Sequence, residues 1–346
     1  MKAETASSFT GLARTTSGPL SWFRKRVLVL GTGQLAMDLC QVLTSSHVRL
    51  HKVVGFLERD TSRVGSSLMG VGILGTFEQL FEIVEHYEIN TIVVCLDDHR
   101  AILPTQTLLD FKAMGLEVVD GHHLYEEESE RLSIDSLRPS ALIFSTGFRR
   151  RVMAAAMKRL MDFFVSLAGL VPLAPVFAVV GLLIKLDSPG PVFYRQMRVG
   201  LGGHPYMIWK FRTMDKDAEK TGPRWAQTKD PRISRVGRWL RKLRIDELPQ
   251  LINVLKGEMS LVGPRPERPV FVQELRESIP YYDIRHTVRP GITGWAQTKF
   301  RYGASAEDAH VKLQYDLYYV KNLSLLLDLR ILLQTARVVL LGEGAR

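Results

Sequence analysis

Between Lys25 and Val119, short apolar runs alternate with stretches whose apolar residues recur at helical spacing. Arg26–Leu30 (RVLVL) has the form of a buried strand. It ends in Gly31-Thr32-Gly33-Gln34-Leu35-Ala36, and QLAMDLCQVL continues as a helix. The strand Lys52–Leu57, the helix TFEQLFEIVEHY, the strand Thr91–Leu96, a helix near Leu108–Met114 and the strand Leu116–Val119 follow, with Leu142–Phe144 as a candidate last strand. This alternation predicts a parallel sheet covered by helices on both faces.

The pattern then changes. Phe163–Ile184 (FFVSLAGLVPLAPVFAVVGLLI) holds no charged residue and is closed by Asp162 and Lys185. At about 1.5 Å per residue it is long enough to cross a bilayer. Pro172 and Pro175 fall at its middle, where proline removes a backbone donor and clashes with the preceding turn. Arg149, Arg150, Arg151, Lys158 and Arg159 lie before it; Lys185, Arg195, Arg198, Lys210 and Arg212 lie after it. Basic flanks stay on the cytoplasmic side. A helix that enters the membrane, breaks at the prolines and returns satisfies both flanks, so the expectation is a re-entrant hairpin over about residues 160–186. A buried helix of a soluble core and a kinked span are the alternatives, but an uncharged run this long favours lipid over a one-sided apolar stripe.

Beyond it, VFYRQMRVGLGGHPYMIWKFRTM alternates apolar and cationic residues around a glycine-rich turn, as a basic hairpin does. Arg235–Ile245 reads as a basic helix with Trp239, Leu240 and Leu243 on its apolar side, a membrane-interface pattern. It runs into Asp246-Glu247-Leu248-Pro249, where proline in a first turn puts Asp246 at a helix N-cap. Asn322–Leu341 is apolar with scattered charges and reads as an interfacial or dimer-forming helix. The resulting division is a lead-in (1–24), a Rossmann-like nucleotide-binding-like domain (25–148) and a mostly helical membrane-associated domain (149–346).

The 346 residues carry a net charge of +10, which asks for an anionic partner: nucleic acid, lipid headgroups or a phosphorylated substrate. Cys40 and Cys95, each inside an apolar run, suit reduced buried thiols. His122, His123 and Glu126–Glu128 read as solvated surface, and no histidine cluster has zinc-ligand spacing. The lead-in has no apolar core for a signal peptide. Gly31 and Gly33 would let a helix N-terminus face an anion, and Glu58 stands where an acidic residue would meet a ribose hydroxyl; the same residues also serve simple helix-on-strand packing. Arg195, Arg198, Lys210 and Arg212 would line a phosphate site or touch lipid headgroups. Pro264 and Pro266 stiffen the loop that aims Arg265 and Glu267, and Arg289-Pro290-Gly291 opens a second rigid loop presenting Arg289 and Trp295. Asp246 and Glu247 cap a helix in the plain reading; among arginines and beside a membrane segment they are also placed to act on a phosphate.

From about Lys158 to its end the chain resembles the bacterial sugar transferases, the monotopic polyprenyl-phosphate phosphoglycosyl transferases. The resemblance rests on ordered blocks: the proline-broken apolar segment, DSPGPVFYRQMRVG, KFRTM, DELPQLINVLKGEMSLVGPRPE and RPGITGWAQ. The whole chain resembles the longer exopolysaccharide-type members, including priming enzymes associated with exosortase systems. The resemblance implies that Asp246 attacks the sugar-linked phosphate of a nucleoside diphosphate sugar, usually a UDP-sugar. It implies a covalent phosphosugar intermediate, transfer to polyprenyl phosphate, and Mg²⁺ held by Glu247 with Asp246. It implies Arg265 as a phosphate ligand with Lys210, Arg212 and Arg289 as further candidates, and the cytosolic face of the bacterial inner membrane as location, with lipid and no nucleic acid as partner. Neighbouring cations are expected to keep Asp246 ionised. Many long members carry transmembrane helices ahead of the nucleotide-binding-like domain; this sequence starts without them, so attachment is expected to rest on the hairpin and interfacial helices. Ala174 stands before Pro175 where the family often has serine. The rival readings are an NAD-dependent sugar-nucleotide dehydratase or epimerase, for which Tyr206-Met-Ile-Trp-Lys210 is a formal Tyr-x-x-x-Lys match, and a non-enzymatic membrane scaffold.

Overall fold

Strand β1 (Lys25–Leu30) sends alternate side chains to opposite faces: Val27 and Val29 to one core, Leu28 and Leu30 to another. The computed structural model describes residues 24–45, 51–96, 103–137, 139–145, 147–148, 152–215, 218, 230–300 and 305–340. The Arg149–Arg151 cluster and all but the last residue of the lead-in lie outside them. After β1 come α1 (Gln34–Ser45), β2 (His51–Glu58), β3 (Ser67–Leu68), β4 (Val71–Thr76), α2 (Leu80–His86), β5 (Thr91–Val94), α3 (Thr105–Ala113), β6 (Glu117–Asp120) and α4 (Gly121–Ser129). The sheet order is β3-β4-β2-β1-β5-β6, parallel except for the β3–β4 hairpin. Leu35, Leu39 and Leu43 of α1 and Leu124 and Tyr125 of α4 fill the first core; Leu80 and Val84 of α2 and Leu108 and Phe111 of α3 fill the second. The α/β alternation expected from the sequence is therefore present, with Cys40 and Cys95 as buried free thiols.

The chain divides into two units between Ser129 and Glu130. Residues 130–148, expected with the first domain, pack in the second: Leu132 and Ile134 lie among Val272, Leu275, Leu313 and Leu317. Leu142–Phe144 is not a strand but the end of helix α5 (Pro139–Phe144). A three-residue apolar run does not decide between the two, and proline at the first position favours the helix.

The second unit continues with α6 (Val152–Asp187), β7 (Phe193–Val199), β8 (Pro205–Phe211), α7 (Arg235–Lys242), α8 (Gln250–Lys256), β9 (Ser260–Val262), α9 (Pro269–Ser278), β10 (Gly291–Thr293), α10 (Trp295–Lys299), α11 (Ala306–Lys321) and α12 (Leu325–Leu340). Strands β7 and β8 form the basic hairpin; β9 and β10 pair in parallel. Helix α12 exposes Leu326, Leu329 and Leu333 on one side.

Helix α6 corrects one expectation. It is a single 36-residue helix with Pro172 and Pro175 inside it, about 54 Å long at the usual rise, and no turn separates two antiparallel arms. Lys158, Asp162, Ser166, Val180 and Ile184 are buried, and Gly169, Leu170, Leu173 and Phe177 are half-buried. These positions recur every three or four residues, so one stripe faces the protein along nearly the whole helix. Both prolines, with Phe164, Val171, Val176 and Leu182, lie on the exposed side. Proline is tolerated there because one face is anchored along its length and helix breakers are accommodated in membrane-type helices. Arg159 donates to Val254 O (2.5 Å) and Leu255 O (2.8 Å), and Leu261 N donates to Asp162 Oδ1 (3.1 Å). At the other end Val236 N donates to Asp187 Oδ2 (3.0 Å). The two ends are held by the same unit.

Candidate active site

Helix α7 starts under a Ser234 cap, Gly237 N donating to its Oγ (3.0 Å). It ends at Arg244, a non-glycine residue in the left-handed region (φ 56°), a conformation that turns the chain sharply at a cost in strain. The turn delivers Asp246 and Glu247 in a short 3₁₀ segment, Ile245–Glu247. Asp246 is thus not the N-cap expected from the sequence; Pro249 occupies that position of α8. Asn253 fixes α8 against β8, accepting from Trp209 N (3.0 Å) and donating to Met207 O (2.8 Å). That bridge sets the height of Lys210 on β8 relative to the carboxylates.

Asp246 and Glu247 are each only 8 % exposed. Glu247 Oε1 accepts from Lys210 Nζ (3.0 Å) and Arg265 (2.6 Å), and Arg244 stands 3.9 Å from its other oxygen. Burial would raise the Glu247 carboxyl, but Arg265 and Lys210 override it and hold the group far below the carboxylate range. Asp246 goes the other way: burial and the charge of Glu247 raise it against the pull of Lys210, Arg241 and Arg265. The expected ionising effect of the cations therefore falls on Glu247, which takes their hydrogen bonds. Among the described residues the Asp246 carboxylate has no hydrogen-bonding partner.

The Gly263-Pro264-Arg265-Pro266-Glu267 loop is held from behind. Gly291 N donates to Pro264 O (3.0 Å), Arg198 to Pro266 O (3.1 Å) and Arg285 to Arg265 O (2.8 Å). Gly263, Gly291 and Gly294 bring backbones so close that a side chain at any of them would overlap main-chain atoms. Arg285 is itself buried against Asp316 (2.7 Å) and donates to the Tyr282 hydroxyl (2.8 Å). The sequence reading missed this layer. Its one signal was Asp316 on the Leu313–Leu317–Val320 stripe of α11, since a charge on an apolar face needs a buried partner.

Two predicted phosphate ligands are engaged elsewhere. Arg212 ties down the end of α6, donating to Pro189 O (2.7 Å), Ser188 O (2.7 Å) and Ser188 Oγ (3.0 Å). Arg289 donates to Gly257 O (2.9 Å) at the end of α8. Both use arginine's fork on orphan carbonyls near helix C-termini, where cations are favoured. Trp295, expected to be presented by its loop, is fully buried, its Nε1 donating to Glu130 O (2.9 Å). Tyr206 and Lys210 lie on strand β8, so they stand about 13 Å apart along it and do not share a helical face as the dehydratase pattern requires. In the first unit Gly31 adopts φ 103°, Gly33 precedes α1, accepting from Met37 N (3.2 Å), and the Glu58 carboxylate accepts from the Thr32 hydroxyl beside Arg63 (3.7 Å).

Among the described residues no group of three or more His, Cys, Asp or Glu side chains converges on a metal position. The Asp246–Glu247 pair nevertheless fits Mg²⁺, which takes one or two carboxylates and completes its shell with water and substrate oxygens. Among the described residues Asp246 is unpartnered, and burial together with the charge of Glu247 raises it, a condition that a divalent cation relieves.

The sequence profile of one family, described as bacterial sugar transferase, matches residues 153–342. The chain is 46 % identical over 224 residues to the UDP-N-acetylgalactosamine-undecaprenyl-phosphate N-acetylgalactosaminephosphotransferase of Aeromonas hydrophila, covering 65 % of this chain and 49 % of that protein. It is 32 % identical over 331 residues to the undecaprenyl-phosphate glucose phosphotransferase of Komagataeibacter xylinus (93 % and 60 %). It is 43 % identical over 192 residues to the exopolysaccharide production protein PSS of Rhizobium leguminosarum bv. phaseoli (53 % and 94 %). The chain thus spans about half the length of the Aeromonas relative.

Proposed function

The chain belongs to the bacterial sugar transferase family, and on that premise we propose that it transfers a sugar 1-phosphate from a UDP-sugar to polyprenyl phosphate, an early membrane step of exopolysaccharide or glycoconjugate synthesis. The observation that carries this reading is the buried, unpartnered Asp246 carboxylate beside a Glu247 that Lys210 and Arg265 keep ionised. The relatives' names differ in sugar, so the proposal extends to the UDP-sugar class.

Asp246 attacks the sugar-bearing phosphorus: its O–P bond forms, the bridging P–O bond of the diphosphate breaks, and UMP leaves with the electron pair. A phosphate oxygen of polyprenyl phosphate then attacks the same phosphorus, the Asp246 O–P bond breaks, and polyprenyl-diphosphate-sugar departs. One difficult transfer becomes two easier ones. Arg265 and Lys210 stabilise charge on the phosphoryl oxygens. Asp246 and Glu247 would hold Mg²⁺, which when bound neutralises phosphate charge. The test is UMP release by detergent-purified protein given Mg²⁺ and a panel of UDP-sugars without lipid acceptor. Stoichiometric UMP with a phosphosugar adduct on the Asp246 peptide is the expected result; UMP only after polyprenyl phosphate is added would mean direct transfer instead.

The exposed apolar side of α6 and the anchoring of both its ends on one unit support a monotopic, re-entrant seat in the cytosolic leaflet of the bacterial inner membrane. Tags placed before Lys158 and after Leu186 are then both protected from external protease in intact cells. Opposite accessibility of the two would mean a true span.

A further inference from the structure

One donor buried beside the carboxylates lacks an acceptor. Gln250, the first residue of α8, is 1 % exposed, and among the described residues its Nε2 makes no hydrogen bond. The chain passes from the Ile245–Glu247 segment into α8 through Leu248 and Pro249, both in the right-handed helical region. Gln250 therefore follows Glu247 by three residues and Asp246 by four, the spacings at which helical side chains are neighbours. Three residues further on, Asn253 binds Trp209 N and Met207 O of β8, while Glu247 meets Lys210 on the same strand. Gln250 lies between these two contacts. Neither carboxylate accepts from it: Lys210 and Arg265 share Glu247 Oε1, and Asp246 accepts no hydrogen bond among the described residues. A buried N–H without an acceptor costs stability that an apolar side chain of the same size would not cost. Such groups are few in native folds, and next to a reactive carboxylate they point to a ligand atom.

We propose that Gln250 is a further substrate-contacting residue of this site, its Nε2 donating to a non-bridging oxygen of the sugar-bearing phosphate as Asp246 attacks that phosphorus and again as Asp246 leaves it. The inference rests on the two-step reading above. In each displacement the attacking and leaving oxygens stand roughly in line and the non-bridging oxygens stay around the equator, where charge is spread in the transition state. A donor fixed beside the nucleophile meets the same equatorial oxygen in both steps. No proton is transferred; the amide supplies one directed hydrogen bond. Because it is neutral, it does so without adding a charge that would pair with Asp246.

The experiment compares Gln250→Met, which keeps the length of the side chain and removes its donor, with the parent protein in detergent. The expected result is a fall of about 10²-fold in the rate of acceptor-free UMP release, the usual loss for one donor to a transition-state oxygen, with KM for UDP-sugar little changed. The melting temperature stays level or rises, because no orphan donor is left buried. Unchanged release overturns the proposal and leaves the amide to a buried water; a lower melting temperature with a raised KM reduces Gln250 to packing. Gln250→Glu, which keeps the shape and removes the donor, replaces the methionine variant if that one fails to fold. Contact with a phosphoryl oxygen is read from the two diastereomers of the UDP-sugar that carry sulfur at a non-bridging position of the sugar-bearing phosphate. Removing Gln250 should shrink the sulfur penalty of one diastereomer and leave that of the other, the non-additivity of groups in contact. Equal penalties in both proteins exclude the contact. Parent protein that releases no UMP without acceptor removes the covalent reading and not Gln250; in full turnover, the same loss is then expected of the variant, since direct transfer passes through the same equatorial oxygens.

Discussion

Replacing Asp246 with asparagine is expected to suppress acceptor-free UMP release by on the order of 10⁴-fold and, at the same time, to raise the melting temperature of the metal-free protein. The two effects have one origin. An amide oxygen is not basic enough to displace UMP from the sugar-bearing phosphorus, so the covalent step is lost. The carboxylate it replaces is disfavoured by the fold: burial and Glu247 raise its pKa above that of the unfolded chain. A group raised in this way contributes fully to stability below its unfolded pKa and loses that contribution as pH climbs through the folded value. At neutral pH Asp246 is therefore a burden on the folded state, and asparagine, neutral throughout, removes it. The same shift predicts that UMP release by the parent protein declines with acid earlier than an ordinary carboxylate would require, because only ionised Asp246 attacks. A pH–rate profile and a melting curve of the two proteins test both halves. Retained UMP release in the asparagine variant would sink the nucleophile assignment.

How far these features could be read from the chain depends on whether a residue's fate is set locally. The sheet of the first unit was legible because RVLVL and TIVV are short apolar runs separated by helical periods, and their partners follow at regular intervals. The carboxylate pair was legible through an ordered set of motifs, and the structure brings Lys210 and Arg265 to it from 37 and 18 residues away. Other residues went astray where tertiary contacts outweighed local rules. Pro172 and Pro175 signalled a break, yet a stripe running from Lys158 to Ile184 holds the helix together across them. Arg212 and Arg289 had the right chemistry for phosphate, but cations serve orphan carbonyls equally well, and only the packing of α6 and α8 shows which demand is met. Glu130 lies where no composition change announces a boundary; it belongs to the second unit because Lys299 (2.5 Å) and Arg330 (2.6 Å) hold its carboxylate there.

Arg285→Met is expected to be the most damaging change outside the carboxylate pair, costing about 3–5 kcal/mol of stability, because it strands Asp316 as a buried charge without its partner. Both side chains are almost wholly enclosed, at 6 % and 3 % exposed, and Arg285 reaches Asp316 through two of its nitrogens. Stability alone, however, does not explain why an ion pair sits behind this loop. The third use of the same guanidinium is Arg265 O at 2.8 Å, which ties the backbone of the arginine proposed to bind phosphate to α11. The double variant Arg285→Met/Asp316→Leu separates the two roles. Removing both charges together is often neutral or stabilising, since no charge is left buried alone, so the melting temperature should return close to that of the parent. The tether to Arg265 stays broken, so KM for UDP-sugar should remain raised and UMP release slow, because small displacements of a positioning group cost rate steeply. Recovery of stability without recovery of KM would establish Arg285 as a positioning residue acting through Arg265. Recovery of both would reduce the pair to packing and leave Pro264, Pro266 and the β9–β10 pairing as sufficient to aim the loop.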